Sequence, residues 1–332
     1  MADDSRQWIA KLMPFAVPDN RRAILEIIIT FALLIAAWLG VWALMQVSGW
    51  LALLAAFPAS LFMVRLFIIQ HDCGHGALFT SRAANDWVGR VLGVFTLTPY
   101  DWWKHSHALH HASSGNLDKR GIGDIDTLTV EEYRARDWRG RLKYRAYRHP
   151  LVLFVIGPFY MFVLQHRLPV GFMNRVSPWV STMGTNAGII LLAGLMIWFF
   201  GLKTFLLVHM PLVVAGASIG VWLFYVQHQF NPTFWEHAPD WQREEAALHG
   251  SSFYDLPKPL MWITGNIGIH HVHHIVSRIP FHRLPQTLKA FPELKGIGHL
   301  TFRDSLKCVR LTLWDEKAKK LLTFREFGAL PA

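Results

Sequence analysis

At 332 residues, 52% of them hydrophobic and with 15 Trp and 23 Phe, the chain reads as an integral membrane protein rather than a soluble globule. Its formal charge of +10, from 33 Lys and Arg against 23 Asp and Glu, lies mainly outside the apolar runs and suits anionic head groups or an acidic soluble partner. Two cysteines, Cys73 and Cys308, neither in a CxxC pair, argue against a disulfide scaffold and against thiolate zinc or iron–sulfur sites.

The segment from Met1 to Asn20 carries Asp3 and Asp4 and lacks an unbroken apolar core, so neither a cleaved signal nor a transit peptide is expected. Residues 27–46 follow Arg21-Arg22 without a single charge, and a helix of about 20 residues covers about 30 Å, one hydrocarbon core. After a turn at Ser48-Gly49, residues 51–70 are apolar except for Arg65, which is expected to snorkel back to the interface. His71 follows directly.

The stretch from His105 to Arg148 is rich in charge and must sit in water. Residues 150–165 are uncharged but short for a span and contain Pro158, which reads as an interfacial or half-inserted helix. A second pair of spans, 183–202 and 204–227, meets at Lys203, and the remainder is polar enough to be soluble. Two tight hairpins put the N-terminus, the centre and the C-terminal part on one side. The outer turns hold almost no Lys or Arg, so the positive-inside rule makes that side cytoplasmic. The expected fold is an all-α integral membrane protein, four transmembrane helices in two hairpins plus interfacial helices, with a cytoplasmic helical cap. It is one domain over 1–332, with cytoplasmic segments 71–182 and 228–332.

Three histidine clusters carry the chemistry: His71-Asp-Cys-Gly-His75, His107-Ala-Leu-His110-His111 and His270-His271-Val-His273-His274. Imidazoles three or four residues apart share one face of a helix. On that geometry His71, His75, His107, His110, His111, His270, His273 and His274 are candidate metal ligands. His105, about 200° round the helix from His107, and His271, about 100° from His270, are not. His228, at the end of the fourth span, is a ninth candidate. A catalytic zinc takes three protein ligands and a structural one four, so eight or nine nitrogens call for two or more metals. No Glu or Asp bridges within a cluster as in carboxylate-rich bundles, and imidazole alone does not choose the metal.

The order HDCGH, HSHALHH, HHVHH resembles the membrane fatty acid desaturase family. The flanking words are similar to its acyl-lipid branch, Δ12 or omega-6 members included. They are His107-Ala-Leu-His-His-Ala-Ser-Ser-Gly-Asn-Leu-Asp-Lys-Arg120, Thr129-Val-Glu-Glu-Tyr133, Gly250-Ser-Ser-Phe-Tyr-Asp-Leu-Pro257, Thr264-Gly-Asn-Ile-Gly-Ile-His-His-Val-His-His274 and Ser277-Arg-Ile-Pro280. The likeness runs from about Asn20 to Leu300. It implies a non-haem di-iron centre that uses O2 and two electrons to place a cis double bond in an acyl chain, lipid-linked as in that branch. It also implies the eight cluster histidines as ligands, with His228 at the usual extra position. His282 departs from the family's common polar or aromatic residue and stays outside the site.

An alkyl C–H has no useful acidity, so a redox cofactor must supply the oxidising power. Asp72, Asn116, Asp118, Asp255 and Asn266 are candidate partners for the outer ring nitrogens. Trp102, Trp103, Trp222, Phe224, Tyr225 and Phe253 flank the motifs, as tunnel or interfacial-belt residues alike. No cytochrome b5 word and no GxGxxG occurs, so electrons are expected from a separate protein, a small acidic ferredoxin, with membrane lipid acyl chains as substrate and no nucleic acid as partner. A hydroxylase or ketolase of alkanes or carotenoids on the same scaffold is the nearest rival. A histidine-rich metal transporter or sensor would need polar ligands inside the spans, which are bare. The expected location is a bacterial cytoplasmic membrane, crossed several times.

Overall fold

The computed structural model describes residues 2–121 and 123–331. The chain starts with helix α1 (Ala2–Leu12) and then α2 (Asn20–Val47), where Asp19 caps the first turn by accepting from the Arg22 N–H. After Ser48 the chain turns into α3 (Gly49–Ala59) and α4 (Leu61–Gly74), which pass Ser60 with so little break that residues 49–74 act as one apolar rod. Next come α5 (Arg82–Phe95), α6 (Tyr100–Ser113) and α7 (Trp138–Tyr147). A segment of tightened and widened helical turns, Val152–Arg167, leaves α7 at 58°. Then follow α8 (Val176–Thr204) and α9 (Met210–His228), joined by the wide turn Phe205–His209.

Among the described residues three helical stretches, Asn20–Val47, Gly49–Gly74 and Val176–His228, are long and apolar enough to cross a membrane. The last, of 53 residues, is broken at Gly201, whose φ of 82° and ψ of 155° only glycine adopts without penalty. The chain must double back there. The Ser181 hydroxyl accepts from the Asp101 N–H near the start of α6, while the His228 ring lies 4.7 Å from that of His110, towards the other end of α6. A straight helix from 181 to 228 would put about 70 Å between them. Trp38 and Trp42 of α2 pack edge-on against Phe200, so the Gly201 turn lies well away from the Glu26 end of α2.

The expected spans are all helical, and the helices outrun the spans read from charge, most clearly at the starts of α2 and α8. Charge marks where a side chain leaves apolar surroundings, not where backbone hydrogen bonding ends. Two expectations need correction. The fold is mostly helical but not all-α. Strands β1 (Leu128–Thr129), β4 (Leu311–Asp315) and β5 (Lys320–Thr323) form a mixed sheet in the order β1-β4-β5, and β2 (Phe253–Asp255) pairs in parallel with β3 (His299–Thr301). Such short strands leave no alternation to read.

The second correction is Arg65, which does not reach for an interface. It is 1% exposed and forms an ion pair with Glu26, itself buried and also bonded to Arg22. Arg65 further donates to the Thr30 hydroxyl and the Trp262 carbonyl, and its guanidinium lies 4.1 Å from the Trp262 ring. The pairing ties α2 and α4 to the segment that leads into the third histidine cluster. Removing one partner of a buried pair strands the other charge. Arg65→Met is therefore expected to cost about 3–5 kcal/mol of stability, and the double change with Glu26→Met distinctly less, as read by thermal unfolding of the purified protein.

Candidate metal centre

The first cluster ends α4, the second occupies the last two turns of α6, and the third forms α11 (His270–Ile275), counting α10 as Arg243–His249. Helix α11 is short, and its position is fixed by contacts before and after it. Gly265, at a φ of +60°, lies so close to α4 that a Cβ there would stand 2.6 Å from Ile68 Cγ2. Asn266, also left-handed at 52°, donates to the Phe281 carbonyl, and Gln227 of α9 donates to that of Ile267. The Asp72 carboxylate accepts from the Phe281 N–H at 2.6 Å. Four remote stretches of chain thus converge.

All nine candidate histidines meet in two adjacent groups. His71, His75, His107, His111 and His273 offer nitrogens within 4.8 Å of one another, and so do His110, His228 and His274. In the first group the Nε2 atoms follow one another at 3.3 Å (His71 to His75), 3.1 Å (His75 to His107), 3.1 Å (His107 to His111) and 3.2 Å (His111 to His273). His270 joins the second, its Nε2 3.1 Å from that of His228 and 3.0 Å from that of His274. Clusters two and three are each divided: His107 and His111 go to one group and His110 to the other, His273 to one and His270 with His274 to the other. One turn of helix reaches both groups, whose facing rings of His111 and His274 stack at 4.2 Å.

The residues fit metal ions. At a metal–nitrogen length of about 2.1 Å, two nitrogens at right angles on one ion stand about 3.0 Å apart, the separation seen between neighbouring Nε2 atoms. Among the described residues the His110 Nε2, buried in the second group, has no hydrogen-bond partner, and a bound cation would satisfy it. Outer nitrogens are held where the structure shows partners. Asp72 Oδ1 lies 3.3 Å from His71 Nδ1, Asp124 Oδ1 lies 2.5 Å from His110 Nδ1, and the Gly250 carbonyl lies 3.4 Å from His228 Nδ1. Such partners fix which nitrogen faces inward.

Of the five polar residues expected in that role, only Asp72 touches a cluster ring. Asn116 caps Asp118, Asp118 holds the exposed His237, Asp255 faces His299, and Asn266 braces the backbone. Asp124 was not legible, because it lies in a loop beyond the end of α6, where no periodicity points back to the cluster. His105 sits apart against Phe172 and Arg175, and His271 turns to the Leu294 carbonyl. Among the flanking aromatics, Trp103 stacks on His107 at 4.7 Å, and Phe224 lies 5.1 Å from His110 and 5.0 Å from His228. Tyr225 instead donates to backbone carbonyls at Cys308 and Leu311.

The family model for fatty acid desaturases matches residues 48–303, a stretch that includes every histidine of both groups. The chain belongs to the fatty acid desaturase family. It is 40% identical over 331 residues to a fatty acid desaturase of Bacillus subtilis, covering all of this chain and 94% of that one. It is 25% identical to the sn-1 oleoyl-lipid 12-desaturase of Synechocystis, over 86% of this chain and 80% of that one. An sn-1 acyl-lipid omega-3 desaturase (ferredoxin) of Synechocystis is 27% identical, over 70% of this chain and 64% of that one. The matched stretch of this desaturase holds the buried histidines and two of its long apolar helical stretches, Gly49–Gly74 and Val176–His228.

Burial drives the proton affinity of His75, His107, His111, His270, His273 and His274 well below the ordinary imidazole value near 6.5, and neighbouring imidazoles lower it further. The rings are therefore neutral, the form that binds metal. Because these values are depressed on folding, the unfolded chain takes up protons first as pH falls below about 6.5. Metal-free desaturase is expected to lose stability steadily from about pH 7.5 to about pH 5, measured as a falling unfolding temperature across a pH series.

Proposed function

We propose that this protein is an O2-dependent desaturase that introduces a cis double bond into a lipid-linked acyl chain at a non-haem di-iron centre. The observation that carries the reading is the pair of adjacent Nε2 groups. On this reading His71, His75, His107, His111 and His273 would hold one iron and His110, His228, His270 and His274 the other. When bound, the irons supply the oxidising power needed to break two unactivated C–H bonds. The balance is –CH2–CH2– plus O2, two electrons and two protons, giving –CH=CH– and two waters.

The chain's own groups position and insulate. Asp72 and Asp124 fix two rings through Nδ1, so the inward nitrogens stay aimed while the centre changes charge. Trp103, in edge contact with Phe67, which in turn meets Phe162 of the Val152–Arg167 segment, gives an apolar wall beside the first group. Phe224 does the same beside the second. A methylene chain lying along these rings is placed by shape alone, which suits a substrate without polar handles near the reacting carbons. Electrons come from a separate acidic carrier, with ferredoxin the named donor of one similar desaturase. The protein is one domain over 1–332 with four crossings, its histidines on the cytoplasmic face of a bacterial membrane.

Expression in a host without polyunsaturated lipids tests the reading by mass spectrometry of the acyl chains. The expected product is two mass units lighter than its precursor, and the purified protein holds two irons. A gain of oxygen would mean a hydroxylase, and metal uptake without O2 consumption a transporter or sensor. His110→Ala is expected to abolish product and lower the iron content, whereas His105→Ala leaves both nearly unchanged. Equal loss in both would remove the basis for the ligand assignment.

A further inference from the structure

Helix α7 and the residues just before it concentrate positive charge that no carboxylate among the described residues neutralises. Arg134, Arg136, Arg139, Arg141, Lys143 and Arg145 are all exposed, and among the described residues none has a carboxylate within ion-pair distance. Three acids close by are already engaged. Asp137 caps α7 through the Gly140 N–H, Glu132 pairs with Arg120, and Glu326 accepts from the Thr323 N–H in the cap of the final helix. In the middle of this basic field an open groove is lined by Tyr133, Trp138, Arg141, Leu142, Arg145 and Phe327. Trp138 is 69% and Leu142 59% exposed, one helical turn apart. An apolar pair ringed by unpaired cations has the make-up of a protein contact surface with an acidic partner.

The groove also leads inward. Tyr133 at its floor lies 5.8 Å from the Tyr144 ring, whose hydroxyl accepts from the Leu128 N–H at 3.1 Å. The adjoining Thr127 hydroxyl is 3.3 Å from Gln229 Oε1, next in sequence to His228 of the second histidine group. Buried Arg148 braces this last step by donating to both Thr127 Oγ1 and Gln229 Oε1. One ring contact and two hydrogen bonds thus link the groove to the residue beside His228, a connection that a surface holding only lipid head groups would not need.

We propose that the α7 groove is the docking site for the acidic one-electron carrier protein that reduces the centre. The proposal rests on the di-iron desaturase reading and adds the place of entry. Each encounter oxidises one carrier by one electron, so two carriers are consumed per double bond. The cations steer the carrier, and Trp138 with Leu142 supplies the dry contact.

The test is steady-state desaturation in nanodiscs with reduced [2Fe–2S] ferredoxin as donor and, in parallel, with dithionite-reduced methyl viologen. Arg139→Glu combined with Lys143→Glu changes two side chains that make no hydrogen bond among the described residues. It is expected to raise the KM for ferredoxin at least tenfold at low salt while leaving viologen-driven turnover unchanged, and Arg141→Glu to act in the same direction. An unchanged KM, with wild-type turnover still falling as salt rises, would place the carrier elsewhere and overturn the proposal. A rise in KM that appears in anionic nanodiscs but not in phosphatidylcholine ones would assign the groove to lipid and overturn it as well. Wild-type ferredoxin-driven turnover indifferent to salt would sink the acidic-carrier reading itself, and absence of viologen-driven desaturation the di-iron reading.

Discussion

Nine imidazoles with their nitrogens about 3 Å apart set the terms for the rest of the structure. Neutral rings at that spacing need a cation or a proton between each pair, and protonating many of them would bring like charges together where water cannot screen them. Their approach is therefore unfavourable unless packing enforces it. The surrounding helices supply that force. Side chains of α4, α6, α9 and α11 bury the rings of His71, His110, His228, His270, His273 and His274 almost completely, and the covalent spacing of three and four residues fixes the order within each cluster.

The bracing is asymmetric in a way that follows from helix length. Clusters one and two and His228 ride on helices of 14 to 19 residues, long enough for contacts outside the clusters to set their direction: buried apolar side chains on α4 and α9, and Tyr100 and Trp102 on α6. Helix α11 has 6 residues, too few for that. Its approach is accordingly tied down by polar contacts from three directions: Arg65 on the Trp262 carbonyl, Gln227 on that of Ile267 and Asp72 on the Phe281 N–H. Asp72 serves both ends of the problem, because the same carboxylate lies beside His71. A ring of the first cluster and the loop behind the third are aligned against one another by a single side chain.

These contacts also mark how far the sequence could be read. The clusters and the spans were legible because both are periodic or compositional signals within one segment, and His228 was legible because a span had to end beside the clusters. The inward course of Arg65 was not, since its partner Glu26 lies on another helix, and an arginine near the end of an apolar run looks the same whether it turns in or out. Asp124 was missed for a related reason: a loop carboxylate announces a neighbour only through the fold. The short strands were hidden because β1, in the middle of the chain, pairs with β4 near its C-terminal end. What sequence spacing conveys is which side chains share an element, and what it omits is which elements share a space.

The division of clusters two and three between the two groups explains why one turn of helix carries three histidines where two would hold a single ion. At i and i+4 two rings point to the same side, and the ring at i+3 is turned about 100° from its neighbour at i+4. In α6 that rotation sends His110 away from His107 and His111. In α11 the odd ring is His273, and it crosses in the opposite sense. Each helix therefore lends its i,i+4 pair to one group and its remaining ring to the other, so neither group can shift without moving both helices. The spacing between the groups is consequently a property of two rigid backbones rather than of any one side chain.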